Sequence, residues 1–140
     1  MAYDDQNIFA KILRGELPAI KVYEDEHTLA FMDIMPQADG HTLVIPKVPV
    51  ETVFELPESH YQACFSTIKK VGNALKKAFA TEGVVMFQLN GSAAGQTVPH
   101  LHFHLLPSSL GDLRRSKHAA EMADSAQLQA FADRVIAALE

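Results

Sequence analysis

Histidine alternates with apolar residues in the segment 99–107, which reads Pro-His-Leu-His-Phe-His-Leu-Leu-Pro. Side chains alternate between the two faces of a β-strand, so this pattern predicts a strand over Val98–Leu106. Three imidazoles then share one face, those of His100, His102 and His104. Three apolar side chains face a hydrophobic core, those of Leu101, Phe103 and Leu105. The segment therefore predicts a polar row on a rigid element, which holds a site more accurately than a loop does.

The rest of the chain shows further strand and helix patterns. Short runs bounded by turn residues predict four more strands, at Lys21–Asp25, Thr28–Asp33, His41–Ile45 and Val84–Leu89. Apolar residues at helical spacing predict a helix within 7–13 with Asp4 and Asp5 as available caps, a long amphipathic helix from Tyr61 to Phe79, and a C-terminal helix from Ser125. Strands joined by short turns, with helices set apart, indicate an α+β domain with a mostly antiparallel sheet.

Length and composition limit the function classes. The 140 residues amount to one ordinary domain, and the net charge of −5 lacks the basic surplus of a nucleic-acid binder. Cys64 is the single cysteine, which excludes a disulfide framework and a thiolate zinc cluster and suits a reducing compartment. No stretch has the pattern of a signal peptide or a membrane span. We therefore expect a cytoplasmic protein with neither nucleic acid nor membrane as a partner.

A row of three histidines has three candidate uses. Two histidines in a His-x-His strand can share a Zn²⁺ ion, although a hydrolytic zinc site usually adds a third ligand. A neutral imidazole can instead attack phosphorus or an acyl carbon and form a covalent intermediate. With an ordinary pKa near 6.5, about three quarters of such a histidine is neutral at pH 7. The third use carries no chemistry, namely a histidine-rich exposed face of the sheet.

The loop before the row favours phosphate chemistry. Gly95, Gln96 and Thr97 offer backbone N–H groups, an amide and a hydroxyl, which are donors for phosphate oxygens rather than metal ligands. Glycine also lets a phosphate approach the backbone closely. Without the histidines, a plain turn would be the commoner interpretation of this loop.

The row matches the pattern His-φ-His-φ-His-φ-φ, with φ apolar, and with it the chain resembles the histidine-triad (HIT) family of nucleotide hydrolases and transferases. Further blocks resemble those of the family in the same order, at 7–12, 30–34, 40–47 and 94–99. The resemblance implies a single domain over 1–140, with a core at about 8–107 and a helical tail at 108–140, built on a five-stranded antiparallel sheet. It also implies a homodimer formed through the long helix and a strand, a purine nucleotide substrate, and no cofactor.

The resemblance implies a role for each site residue as well. His102 would be the nucleophile that attacks the α-phosphorus, and His104 would donate to a phosphate oxygen or to the bridging atom. His100 would sit behind the nucleophile, linked to His41. Asp33 would accept hydrogen bonds from ribose hydroxyls. The other nucleotide-binding positions would be Gln96, Thr97 and Asn90 near the phosphate, and Ile8, Phe9 and Phe31 in an apolar slot for the base.

Two departures from the family pattern matter. Leu89 stands where members often carry Asn or Gln, and the nearest amide is that of Asn90. The block 7–10 lacks the cysteines that some members use in a zinc site, so we expect no metal there. Beyond the resemblance, the basic cluster Arg114–Lys117 allows two interpretations, a contact with phosphate or a solvated turn.

The leading hypothesis is a nucleotide hydrolase of the purine nucleoside phosphoramidase type, which works through a covalent nucleotidyl-histidine intermediate. A dinucleoside polyphosphate hydrolase would use the same site. A nucleotide-binding module with little turnover and a zinc hydrolase are the alternatives from other classes.

Overall fold

A computed structural model of the protein describes residues 2–115 and 122–139. The helices and strands follow one another as α1 (Ile8–Leu13), β1 (Lys21–Glu24), β2 (Thr28–Met32), β3 (Thr42–Pro46), α2 (Tyr61–Ala78), β4 (Val85–Phe87), β5 (Phe103–Leu106), α3 (Leu110–Arg115) and α4 (Ser125–Ala138). Short 3-10 helices lie at Val53–Glu55, Glu58–His60 and Ser92–Ala94. Among the described helices, none combines the length and the apolar character needed to cross a membrane.

The five strands form one antiparallel sheet in the order β1-β2-β3-β5-β4, which confirms the predicted fold class. In this register Leu43 of β3 lies opposite His104 of β5, and Phe87 of β4 lies opposite His104 on the other side. The last histidine of the row therefore has an apolar neighbour on each flanking strand.

Both faces of the sheet are covered, because successive residues of β2 and β3 alternate between two hydrophobic clusters. The larger cluster joins the sheet to α2 and α4 and includes Ala30, Met32, Val44, Leu101, Phe103 and Leu105 with Val71, Leu75, Leu128, Ala132 and Val135. The smaller cluster joins the opposite face to α1 and consists of Phe9, Leu29, Phe31, Leu43 and Ile45. The apolar residues that alternate with the histidines thus face the larger core, as predicted.

The histidine strand is shorter than the sequence predicted. The prediction covered 98–106, whereas β5 begins only after the second histidine of the row. Pro99 has no backbone N–H to contribute to a ladder. The N–H of Leu101 donates to the carbonyl oxygen of Val50, at 2.9 Å, instead of to a neighbouring strand. Two histidines therefore lie on the loop that leads into β5, and one lies on the strand itself.

The other strand boundaries differ less. β1 and β2 each end one residue before the predicted boundary, and β3 is shifted by one residue to include Pro46. β4 is shorter than the predicted 84–89, and the Gln88 amide donates to the Leu89 carbonyl oxygen and to the Asn90 side chain just after β4 ends. These contacts belong to the loop rather than to the ladder.

The first helix is capped by Asn7, and not by Asp4 or Asp5 as predicted. The Asn7 side-chain oxygen accepts the N–H of Ala10 at 2.9 Å, and its amide donates to the Asp4 carbonyl oxygen at 2.7 Å. Asparagine is as good an N-cap as aspartate, so Asn7 is sufficient to start the helix at Ile8. This position brings the start of α1 to the histidine side of the sheet.

Gly40 makes the turn into β3 feasible. Its φ of +85° is a conformation that residues with a side chain rarely adopt. A Cβ atom at this position would also lie 2.7 Å from the Phe79 ring and 2.8 Å from Pro107. The backbone packs tightly here, and His41 follows directly at the start of the strand.

The helix α3 was not predicted, and its last two residues, Arg114 and Arg115, belong to the basic cluster singled out in the sequence. The other two members, Ser116 and Lys117, lie outside the described residues. Both interpretations of the cluster therefore stay predictions.

Candidate active site

A cavity of about 640 Å³ lies on the face of the sheet that carries the smaller hydrophobic cluster. Among the predicted site residues it is lined by Ile8, Phe9, Phe31, Asp33, Thr97, His102 and His104. The remaining ones, His41, Asn90, Gln96 and His100, are not part of its lining. The structure therefore brings most of the predicted residues together from four separate parts of the chain.

The imidazole of His102 has one nitrogen bound by the backbone. Its Nδ1 lies 2.7 Å from the carbonyl oxygen of His100. Because a carbonyl oxygen only accepts, we assign the proton to Nδ1, which leaves the lone pair on Nε2. The Phe9 ring packs edge-on against this imidazole, with 5.0 Å between the ring centroids. His102 therefore has the tautomer and the fixed orientation that a nucleophile requires.

A chain of hydrogen bonds fixes the tautomers of His41 and His104. The backbone N–H of Gln37 donates to Nδ1 of His41 at 3.0 Å, so we assign the His41 proton to Nε2. This nitrogen lies 2.9 Å from Nδ1 of His104 and donates to it. His104 then carries its own proton on Nε2, and its ring stacks on Phe87 with the centroids 4.1 Å apart. His104 is therefore a hydrogen-bond donor in the cavity.

His41 does not contact His100, and the predicted link between them is wrong. His100 is fully buried, and its Nε2 lies 2.8 Å from the carbonyl oxygen of Pro46. His41 comes one residue before β3, where Thr42 pairs with Leu105. That register places His41 beside the last histidine of the row rather than beside the first.

Burial keeps the four imidazoles neutral. Desolvation lowers the pKa of His41 and His100 to about 4 and that of His104 to about 3, and it also lowers the pKa of His102. Since an unperturbed histidine has a pKa near 6.5, the neutral form of each ring predominates at neutral pH. The burial also contradicts one candidate use of the row, because His100 is fully buried and His102 is only 6% exposed. The row is not an exposed polar face.

Asp33 is the one ionisable carboxyl among the described residues that line the cavity. Its Oδ1 accepts the backbone N–H of Met35 at 2.9 Å, and its Oδ2 lies 3.4 Å from Nε2 of His41. Burial raises its pKa, and the hydrogen bond from Met35 opposes that effect. Each carboxylate oxygen offers two acceptor sites, so Asp33 retains capacity for hydroxyl donors in the cavity.

Gln96 holds its loop together instead of lining the cavity. Its amide nitrogen donates to the carbonyl oxygens of Glu51 and Val98, at 2.8 and 3.0 Å. Its amide oxygen accepts the N–H of Gly91 at 2.6 Å. The side chain is 7% exposed, and all of these partners are backbone groups. Thr97, the next residue, does line the cavity.

Asn90 is likewise occupied by the fold. Its side-chain oxygen accepts the N–H of Val53 at 2.9 Å, and its amide donates to the Gln88 side chain at 2.9 Å. Leu89, at the position where the family often carries an amide, lines the cavity with an apolar side chain. The structure therefore places no amide side chain from this stretch in the cavity.

Apolar side chains form one wall of the cavity beside the histidines, which we call the apolar wall. Phe9 of α1 and Phe31 of β2 pack edge-to-face, with 5.3 Å between their centroids. Ile8 lies at the outer end of this wall and is 47% exposed. A flat ring that enters the cavity would meet aromatic and aliphatic surface here, which is the usual lining of a small-molecule pocket.

Asp33, His41 and His104 form a group that could hold a metal ion, because they offer three ligand atoms within 4.8 Å of one another. A histidine nitrogen ligates a metal through its lone pair. The hydrogen bond from Gln37 places the His41 proton on Nε2, the nitrogen that faces the other two residues. Ligation through Nε2 of His41 would require its proton to move to Nδ1, and that move would break the hydrogen bond from Gln37. The arrangement therefore favours hydrogen bonding over metal ligation.

Three contributors to this site were missed by the sequence analysis. Gln37 acts through its backbone N–H, which has no side-chain signature. Phe87 stacks on His104 only because of the register between β4 and β5, which the sequence does not display. Tyr3 contacts His100 across 97 residues of chain, and no local pattern marks such a pair.

Comparisons with known proteins agree with this geometry. The family model of the HIT domain matches residues 14–110. The chain is 44% identical over 100 residues to Protein hit of Bacillus subtilis (strain 168), across 71% of this chain and 69% of that protein. It is 37% identical over 111 residues to adenosine 5'-monophosphoramidase HNT1 of Candida albicans, across 76% and 73% of the two chains.

A solved structure gives the same result for the fold. The crystal structure of a Hit-like protein involved in cell-cycle regulation from Bartonella henselae superposes with a TM-score of 0.91 at 41% identity, covering 99% of this chain and 100% of that chain. Sequence and structure therefore lead to one conclusion: the chain belongs to the HIT family.

Proposed function

We propose that the protein hydrolyses purine nucleotides at the α-phosphorus through a covalent nucleotidyl-histidine intermediate. The observation that carries this proposal is the state of His102, which is neutral, fixed by the His100 carbonyl oxygen, and free to attack through Nε2. The relative HNT1 is named as an adenosine 5'-monophosphoramidase, which supports the same class of reaction.

In the first step, Nε2 of His102 forms a bond to the α-phosphorus, and the bond from phosphorus to the leaving group breaks. The developing imidazolium keeps its proton on Nδ1 and donates it in a hydrogen bond to the His100 carbonyl oxygen, 2.7 Å away, which stabilises the positive charge. His104 donates its Nε2–H to a phosphoryl oxygen or to the bridging atom. An amine leaving group departs with one proton taken up from the solvent, and the second step returns one proton to the solvent.

In the second step, water attacks the same phosphorus and restores His102. The water transfers its hydroxyl to phosphorus, the bond from phosphorus to His102 breaks, and the second proton of the water is released. The nucleoside monophosphate leaves, and the overall reaction consumes one water. The positive charge that develops on His102 is met by a carbonyl oxygen that is already fixed in place, so little reorganisation is needed there.

The nucleotide would lie between the apolar wall and the histidines. Phe9 and Phe31 would contact the purine, and the Asp33 carboxylate would accept from the ribose hydroxyls. Thr97 would donate to the phosphate from the rim. Gln96 would contribute indirectly, since its hydrogen bonds to the backbone hold the loop that carries Thr97.

The charge of the cavity favours a phosphoramidate over a dinucleoside polyphosphate. Within the described residues, its lining includes no Lys or Arg, and the histidines are neutral at pH 7. Asp33 adds a negative charge if ionised. A polyphosphate chain brings several negative charges that would lose their hydration here without gaining a cation. A single phosphate with an amine leaving group fits this environment better.

We also propose that the protein forms a homodimer through what we call the α2–β4 face, defined by Tyr61 and Phe65 of α2 and Met86 of β4. These three side chains are 47%, 54% and 48% exposed. β4 is an edge strand, whose outer backbone groups lack a strand partner in the sheet. A second copy would cover both the apolar side chains and the edge.

The nucleophile can be identified by trapping. We expect a rapid quench of the reaction with adenosine 5'-phosphoramidate, followed by digestion and mass spectrometry, to place a nucleotidyl group on the peptide that contains His102. His102→Ala should lower kcat by at least about 10⁴-fold, as expected for the loss of a covalent nucleophile. His27→Ala, at an exposed histidine, is the matched control. An adduct on another residue would contradict the proposal, and tight nucleotide binding without turnover would indicate a binding module.

The leaving-group preference follows from the charge of the cavity. We expect kcat/KM for adenosine 5'-phosphoramidate to exceed that for diadenosine tetraphosphate by at least about ten-fold, or about 1.4 kcal/mol in the barrier. Leu89→Lys adds a cation to the cavity lining and should narrow the difference, whereas Leu89→Met is the matched control. A parent protein that prefers the tetraphosphate would show that the charge argument is wrong.

The dimer can be tested by light scattering coupled to size-exclusion chromatography. We expect twice the 15.4 kDa of one chain. Met86→Glu should shift the mass toward one chain, because a buried carboxylate without a partner opposes association. Ile136→Glu, at an exposed apolar residue of α4, should leave the dimer intact. A measured molar mass of one chain for the parent protein at micromolar concentration would contradict the proposed dimer.

A further inference from the structure

Tyr3 reaches the back of the histidine row from the start of the chain. Its hydroxyl oxygen lies 2.5 Å from Nδ1 of His100, and the two rings meet edge-on with 5.7 Å between their centroids. His100 is fully buried, whereas Tyr3 is half-buried. The proposed reaction assigns Tyr3 no part, and Tyr3 does not line the cavity.

The direction of this hydrogen bond follows from its neighbours. Nε2 of His100 lies 2.8 Å from the carbonyl oxygen of Pro46, which only accepts, so Nε2 carries the proton. Nδ1 then holds a lone pair, and Tyr3 must donate to it. The Asn7 amide donates to the Tyr3 oxygen at 2.8 Å, so the oxygen accepts from one side and donates to the other. Both hydrogen bonds are therefore donated toward His100: Asn7 donates to Tyr3, and Tyr3 donates to His100.

The same residues connect the nucleophile to the helix that carries the apolar wall. The carbonyl oxygen of His100 holds Nδ1 of His102, and Asn7 caps α1 through the N–H of Ala10. Phe9 of that helix packs against the His102 ring. With both ring nitrogens of His100 engaged, its peptide group has a fixed position relative to α1.

We propose that Tyr3 is a positioning residue: by donating to Nδ1, its hydroxyl holds the His100 ring in one orientation and thereby keeps the His100 carbonyl aligned with the nucleophile. This inference rests on the proposed function of His102. It predicts that loss of the hydroxyl slows the chemical step more than it weakens substrate binding. Tyr3 does not line the cavity proposed to hold the nucleotide, so loss of its hydroxyl would act on the alignment of the attacking nitrogen.

The test compares Tyr3→Phe with the parent protein. This variant keeps the ring contact with His100 and removes only the donor. We expect kcat for adenosine 5'-phosphoramidate to fall by about ten-fold or more, the size of effect seen when hydrogen-bond partners that orient metal-ligating histidines are removed, with KM changed by less than about two-fold. The matched control is Tyr23→Phe, which removes a hydroxyl bonded to Asp25 on the far side of the molecule.

A second variant redirects the hydrogen bond that the Tyr3 hydroxyl donates, while the N-cap of α1 is kept. Asn7→Asp keeps an oxygen for the N–H of Ala10 and replaces the amide donor by a carboxylate oxygen. Tyr3 then donates to that carboxylate, and Nδ1 of His100 loses its donor. We expect the same loss of kcat, measured well below the melting temperature, because the variant also loses the hydrogen bond from the Asn7 amide to the Asp4 carbonyl oxygen and is less stable. A merely structural role for the hydroxyl predicts a loss of stability with kcat retained.

Nitrogen NMR of the imidazoles gives a readout that does not depend on turnover. In Tyr3→Phe the ¹⁵N signal of His100 Nδ1 should move toward that of a lone pair without a donor, and the His102 Nδ1–H signal should change with it. Unchanged His102 signals, or kcat within two-fold of the parent, would overturn the proposal. If the parent does not turn over the phosphoramidate, the proposed function fails. The response of His102 to Tyr3→Phe then still decides the positioning role.

Discussion

The hydrogen bond between Nδ1–H of His102 and the carbonyl oxygen of His100 is the interaction on which the site depends. It leaves a lone pair on the other nitrogen and offers a fixed acceptor for the charge that develops when that nitrogen attacks. A buried imidazole without such a partner would have two tautomers and a free ring orientation. Here burial disfavours the charged form, and the carbonyl selects one neutral form.

The fold supplies this arrangement by placing polar groups between two apolar layers. β3 and β5 pair so that His41 lies beside His104, and β4 adds Phe87 as a stacking surface. Each nitrogen that is not needed for chemistry has a hydrogen-bond partner, which is a backbone group, another imidazole or, for Nδ1 of His100, the Tyr3 hydroxyl. These hydrogen bonds offset the free-energy cost of burying polar groups, and the rigid surroundings keep the reacting atoms in place.

The sequence was sufficient for the sheet and for the position of the histidine row, since a period of two in apolar residues has a direct structural meaning. Most of the site residues that it named do line the cavity. It was less informative about Gln96 and Asn90, whose amides look like ligand donors but satisfy loop backbone groups. A single sequence does not distinguish an amide that binds a ligand from an amide that holds a loop, because both roles use the same side-chain group. The partner of His41 depended on strand register, which the local pattern does not fix.

The tautomers of the four imidazoles provide the most direct test of the central claim. ¹⁵N NMR of the uniformly labelled protein at pH 7 should show all four rings neutral, with His102 protonated on Nδ1 and the other three, His41, His100 and His104, protonated on Nε2. On acidification, their charged forms should appear only below the ordinary histidine range near 6.5. A His102 ring that is protonated on Nε2, or charged at pH 7, would contradict the claim.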